Sequence, residues 1–300
     1  MDVIVTGASG LIGSALGPAL GRAGHRMIPM SRSAATGDAL QWDPAAGRID
    51  ASGLEGVGAV VHLAGEGIGT KRWNDEQKAR IRESRVRGTA LLAETLAKLD
   101  RPPKVLVSGS AVGYYGDRGD EVLTESSRSG DGFLAEVCRA WEAAADPARE
   151  AGIRVSHIRT GIVLSGGGGA LARMLRPFKL GVGGKLGTGG QWMSWIALDD
   201  EVGAIVHLLG DGASAGAVNL TAPNPATNAD FTKALGAALG RPTVLPVPKI
   251  GLKLLLGGEM AEELLLGGQR ALPTRLLDSG YTFARPELMD AIKVALAEGG

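Results

Sequence analysis

Short β-branched apolar runs alternate with longer amphipathic stretches through the first two thirds of this 300-residue chain. Val3, Ile4 and Val5 form an apolar run; Leu11, Ile12, Ala15, Leu16, Ala19 and Leu20 then recur at helical spacing. This predicts a strand, a turn and a helix that ends at Gly24-His25. Residues 27–31 read as a second strand, and 59–63 as a buried one. Residues 75–99 read as a long helix closed before Pro102-Pro103, and 104–108 as another buried strand. Residues 132–151 are helical and run into Gly152, and 155–159 return to strand. This rhythm predicts an α/β fold, a Rossmann-type doubly wound parallel sheet with helices on both faces. After Leu164 the texture changes. Residues 165–169 and 181–190 are glycine-dense with little periodicity, as loops over ligands are. Residues 202–209 and 228–239 read as helices, 217–220 as one more strand, and 249–266 as an apolar helical stretch with Gly257-Gly258 near its middle. The expected organisation is a nucleotide-binding core over 1–165, with a late strand near 217–220, and a smaller substrate lobe over 166–300.

The turn between the first strand and helix carries the clearest chemistry. Gly7, Gly10 and Gly13 stand at three-residue spacing. Such a turn brings backbone N–H groups and the positive helix end against a pyrophosphate. Gly7 permits the turn, Gly10 admits the phosphate, and Gly13 lets the helix pack on the strand. With 47 glycines in the chain, it is the strand before and the helix after that give the triplet meaning. The end of the second strand, Met30-Ser31-Arg32-Ser33, has no acid to bind a ribose 2′-hydroxyl. Arg32 and Ser31 can instead hold a 2′-phosphate, so NADP(H) is expected over NAD(H).

Composition narrows the partners. Lys+Arg and Asp+Glu both total 32, giving no net field to gather nucleic acid or an anionic membrane. No window is long and apolar enough for a membrane span, and no basic region leads a signal peptide. Cys138 is the only cysteine, which suits a reducing, cytoplasmic setting and reads as buried packing. The four histidines show no metal-ligand spacing. The expected partner is a small molecule, with no nucleic acid, membrane or metal, for a monomer or homodimer.

Several segments together resemble the extended short-chain dehydrogenase/reductase superfamily, the nucleotide-sugar epimerases and dehydratases. They are Thr6-Gly7-Ala8-Ser9-Gly10-Leu11-Ile12-Gly13, Val61-His62-Leu63-Ala64-Gly65, Ser108-Gly109-Ser110-Ala111-Val112-Gly113-Tyr114-Tyr115-Gly116 and Trp195-Ile196-Ala197-Leu198-Asp199-Asp200. Arg72-Trp73, Ser84-Arg85, Trp141-Glu142, the run from Arg159 to Leu164, and Gly267-Gly268-Gln269 before Pro273 narrow the likeness to an atypical subgroup, "epimerase family protein". That subgroup ends in a small domain of unknown function. The resemblance implies a cofactor site made by Gly7, Ser9, Gly10, Leu11, Ile12 and Gly13 at the turn. Ser31 and Arg32 join it after the second strand, then Leu63, Ala64, Gly65 and Glu66, then Arg85, Ser108, Thr160, Gly161 and Ile162.

The superfamily's chemistry uses a Tyr-x-x-x-Lys pair, in which lysine lowers the tyrosine pKa and tyrosine passes a proton. The pair is absent. Residues four beyond Tyr114, Tyr115 and Tyr281 are Arg118, Gly119 and Arg285. Aligned on Glu142, the helix has Leu134 where tyrosine is expected and Cys138 where lysine is expected. Ser110 matches the catalytic serine position, and Tyr114 and Tyr115 stand just past it, so these three are the candidate catalytic residues; the tyrosines read equally as packing aromatics. Arg85, at a position usually held by asparagine, can take over ribose contacts or bind solvent. Trp192, Met193 and Trp195 read as pocket wall or core, and Asp199-Asp200 as a helix cap. The expected function is an NADP(H)-dependent oxidoreductase or epimerase on a small carbonyl, hydroxyl or sugar-nucleotide compound. The alternative is a non-catalytic NADP(H) sensor or scaffold.

Overall fold

The computed structural model describes residues 1–32, 39–210 and 214–298. Ser33 lies outside these. The strands β1 (Asp2–Thr6), β2 (Arg26–Ser31), β3 (Leu40–Asp43), β4 (Arg48–Ile49), β5 (Ala59–His62), β6 (Val105–Ala111), β7 (Arg154–Thr160) and β8 (Gly216–Leu220) form one sheet in the order 8-7-6-5-1-2-3-4. All neighbours are parallel except the edge strand β4, which is antiparallel to β3. The order reverses direction between β1 and β5, so a crevice opens there at the carboxyl ends of the strands, where open α/β sheets bind ligands.

The central strands are apolar on both faces because helices cover both. Val3 and Val5 pack with Leu16 and Leu20 of α1 (Leu11–Arg22) and with Ile205 and Leu208 further along. Ile4 and Val60 on the other face pack with Leu92 and Leu96 of α2 (Asp75–Leu96). The expected helix over 132–151 is two. α3 (Phe133–Ala143) stops, and α4 (Asp146–Glu150) restarts with Pro147 in its first turn, where a missing N–H costs nothing. β6 runs on past the expected end at 108 to Ala111.

The C-terminal lobe is more helical than its glycines suggest. α5 (Gly169–Lys179) buries Leu171, Leu175 and Phe178. α6 (Leu198–Leu208) and α7 (Asn228–Leu239) follow. The apolar stretch over 249–266 breaks at Gly257, whose φ of 95° favours glycine, into α8 (Lys249–Leu256) and two short turns. A final helix, Leu288–Glu298, packs Ala291 and Ile292 against Trp195 and Phe231. Among the described residues no helix is long and apolar enough to cross a membrane.

Candidate active site

The glycine turn is built as a cradle. Gly7 has φ 70°, and a Cβ there would stand 2.9 Å from the Leu63 carbonyl carbon. A Cβ on Gly13 would stand 2.3 Å from the Gly7 oxygen. Both positions therefore demand glycine, and together they press β1, the turn and the end of β5 into one surface. Gly10 caps α1 without a side-chain bond, and the first turn holds no acid. Its leading N–H groups, from Leu11 to Gly13, lack partners within the helix and sit at the positive end of its dipole. Ser9 is exposed beside them. These features fit a pyrophosphate.

The floor of the crevice is fixed by buried polar bonds. Thr6 Oγ1 accepts from the N–H groups of Leu63 and Ala64 at 3.1 and 3.2 Å. Its own proton is thereby directed to His62 Nδ1 at 2.7 Å, and His62 Nε2–H donates to Thr89 Oγ1 at 3.0 Å. Burial drives the His62 pKa down to about 4, which keeps this linkage neutral. Arg85 of α2 lies against Gly65, donates to the Glu66 and Ile81 carbonyls, and stacks over Trp141. Burial lowers its pKa. β2 ends at Ser31, and Arg32, just past it, is exposed. Ser108 lies deeper, fully buried within β6, and its hydroxyl has no partner in the structure.

Leu134 and Cys138 of α3 lie against the end of β6 and the turn that follows it. Cys138 Sγ is 3.8 Å from the Ala111 carbonyl at the end of β6, and Leu134 abuts Gly113. Burial, then the nearby Glu142 carboxylate, push the Cys138 thiol up to about 12. Leu134 has nothing to titrate, and Cys138 stays a neutral thiol that holds its proton at neutral pH.

Ser110, Tyr114 and Tyr115 come together around an ion pair not expected from the sequence. Arg159 of β7 pairs bidentately with Glu142, Nε to Oε1 at 2.8 Å and Nη2 to Oε2 at 2.9 Å. Their side chains are 4% and 13% exposed. Ser110 Oγ donates to Glu142 at 2.7 Å. Tyr115 is fully buried, accepts from Arg159 at 3.0 Å, and donates to Asn219 Oδ1 at 2.7 Å. Burial raises its pKa. Tyr114 is partly exposed, with the Arg159 guanidinium 3.4 Å from its ring centre. Burial opposes the charge on Arg159, but the Glu142 carboxylate overrides it and holds the guanidinium firmly protonated.

A small cavity opens next to this cluster, lined by Gly113, Gly116, Leu134, Glu262, Glu263 and Gln269. Glu263 reaches over from the C-terminal lobe and accepts from the N–H groups of Phe133 and Leu134 at 2.7 and 2.8 Å. It thereby caps α3, whose own N-cap is Gly132. Across the crevice, Arg173 of α5 donates to the Gly69 carbonyl, and Gly168 approaches Leu11. The lobe thus bridges to both the loop after β5 and the glycine turn.

The remaining expectations resolve as follows. Thr160 donates to Glu201 at 2.8 Å, while the N–H groups of Gly161 and Ile162 bond to Leu220 and Ser194. Trp195 is core; Trp192 is partly exposed, bonds Asp120 and lies under Arg270. Asp200 does not cap α6, whose N-cap is Ala197. Its buried carboxylate accepts from the N–H groups of Ala284 and Arg285 at 2.7 and 2.9 Å and pins the C-terminal segment. No cluster of His, Cys, Asp or Glu among the described residues can hold a metal.

Comparison with known proteins agrees with this geometry. Residues 3–221 match the model of the NAD dependent epimerase/dehydratase family, and residues 247–295 match a domain of unknown function, DUF1731. The chain is 43% identical over 299 residues to the epimerase family protein MT2273 of Mycobacterium tuberculosis, covering 99% of this chain and 98% of that one. The crystal structure of human epimerase family protein SDR39U1 (isoform 2) with NADPH superposes with a TM-score of 0.89 at 37% identity, covering 99% of each chain. MoeE5 in complex with UDP-glucose and NAD superposes at 0.76 with 20% identity, over 99% of this chain and 98% of that one, which shows a shared fold.

Proposed function

For this chain, a member of the NAD dependent epimerase/dehydratase family, we propose an NADP(H)-dependent oxidoreductase or epimerase acting on a small carbonyl, hydroxyl or sugar-nucleotide compound. The observation that carries the reading is the steric demand for glycine at Gly7 and Gly13, together with Arg32 at the end of β2. Gly7 to Gly13 would hold the pyrophosphate, Ser31 and Arg32 the 2′-phosphate, and Leu63 to Glu66 the adenine-side ribose. Arg85, beside Gly65 and Cys138, would take the ribose contacts of the missing lysine. When bound, the cofactor supplies or accepts hydride. Substrate then belongs in the cavity beside Leu134. Ser110 and Tyr115 are engaged with Glu142 and Asn219. Tyr114, whose ring is partly exposed, or water is left to pass the proton.

The reading is tested by calorimetry and turnover together. Arg32→Asp should weaken NADPH roughly 10- to 100-fold, the worth of one charge-assisted phosphate contact, and leave NADH within about twofold. Equal loss of both cofactors removes the 2′-phosphate assignment. NADPH oxidation by any member of a carbonyl and sugar-nucleotide panel establishes an enzyme. A second reading, a non-catalytic NADP(H)-responsive protein, is favoured by the absence of a Tyr-x-x-x-Lys pair from the sequence. Tight NADPH binding with no oxidation by the panel, and partners or assembly that differ between NADPH and NADP⁺, would select it.

A further inference from the structure

Two segments of the C-terminal lobe form one face with an unusual composition. Residues 176–188 carry Arg176, Lys179 and Lys185; residues 241–258 carry Arg241, Lys249 and Lys253; neither contains an Asp or Glu. The segments are joined by backbone bonds, Val247 N–H to the Lys185 carbonyl at 2.8 Å and Gly187 N–H to the Val247 carbonyl at 2.9 Å. Seven of the ten large apolar side chains that stand exposed among the described residues lie on these two segments. Leu180 and Val182 are on the first; Val244, Leu245, Ile250, Leu254 and Leu255 are on the second, the last three on α8. Leu252 of the same helix is buried against Ala261 and Leu266. So α8 has an inner apolar side that packs and an outer apolar side that meets water; Lys249 flanks it, while Lys253 is paired with Glu262 at 2.5 Å.

Apolar side chains this exposed and this concentrated mark a binding surface. The cations on these two segments favour an anionic occupant. A surface that is apolar, laterally broad and negatively charged fits. We propose that this face docks on an anionic lipid bilayer, with Ile250, Leu254 and Leu255 entering the headgroup boundary and Lys179, Lys185 and Lys249 meeting lipid phosphates. The balanced charge of the whole chain conceals the feature, since 32 acids elsewhere average it away. α8 is closed by Gly257, which lies against Arg72 in the loop after β5. A bilayer held by α8 therefore sits at the rim of the crevice.

Sedimentation of the full chain with vesicles tests this independently of any turnover. Binding is expected to vesicles of phosphatidylcholine with phosphatidylglycerol and not to phosphatidylcholine alone. It should weaken as salt shortens the screening length from about 10 Å at 0.1 M to about 3 Å at 1 M. The double substitution Leu254→Glu with Leu255→Glu should abolish binding while leaving the melting temperature and NADPH affinity in place. Lys185→Gln and Lys249→Gln should each lower partitioning about fivefold, and they serve if the double variant folds poorly. Absence of binding to the anionic vesicles overturns the proposal. So does binding that these variants leave intact, or a concentration-dependent dimer that the double substitution dissolves.

Discussion

Replacing Arg159 with methionine is expected to cost about 3–5 kcal/mol of folding stability, read as a fall in the urea midpoint at unchanged slope. The reason is what it leaves behind. Glu142 would keep its buried carboxylate with the Ser110 hydroxyl as its remaining hydrogen-bond donor. Tyr115 would lose the guanidinium it accepts from, and Tyr114 the cation over its ring. Arg159→Lys is not a conservative replacement here, because one ammonium cannot make the two parallel bonds to Glu142. Removing both charges together, Arg159→Met with Glu142→Leu, should restore most of the loss, leaving about 1 kcal/mol for the unpaired Ser110 hydroxyl. If the double variant is as unstable as Arg159→Met alone, uncompensated charge is not the cause. NADPH binding should survive both variants, since the phosphate cradle lies at β1, away from β7.

That contrast also marks where the sequence stops being readable. The strand, glycine turn and first helix are local: period-two and period-3.6 patterns on either side of residues with special backbone demands. Ser110, Tyr114 and Tyr115 were legible as neighbours because one strand end delivers them. Their partners were not. Arg159 lies on the next strand of the sheet, and Asn219 on the strand beyond it. Glu142 served only as a register mark on its helix, and nothing periodic says that its carboxylate points at Arg159. The two short strands at the sheet edge, Leu40–Asp43 and Arg48–Ile49, leave no pattern in the sequence because 4 and 2 residues are too few to show alternation. α5 is equally faint in the sequence, because glycines flank a buried stripe of Leu171, Leu175 and Phe178 with Pro177 inside the helix.

Glu201 is the sharpest case of a residue hidden in plain sequence. It reads as the third acid of Asp199-Asp200-Glu201 in the first turn of α6, where the helix dipole favours a negative charge. The structure buries it completely. Its Oε1 accepts from Thr160, and its Oε2 has no partner in the structure. Burial lifts its pKa from 4.5 to about 8, opposed only by the Thr160 bond. The folded protein therefore holds this proton more tightly than the unfolded chain does. The group's contribution to stability is greatest below about pH 4.5 and is lost at roughly 1.4 kcal/mol per pH unit as pH rises to about 8, a deficit of about 3 kcal/mol at pH 7. Glu201→Gln keeps an acceptor for Thr160 and removes the titration. We expect it to melt higher than the parent chain at about pH 8 and to show a flatter dependence of melting temperature on pH between about 5 and 8. Parallel curves for the two proteins over that range would mean that some other group sets the slope. Because Thr160 directly precedes Gly161 and Ile162, a flatter curve accompanied by unchanged NADPH affinity would separate the stability cost of this carboxyl from any part in holding the cofactor.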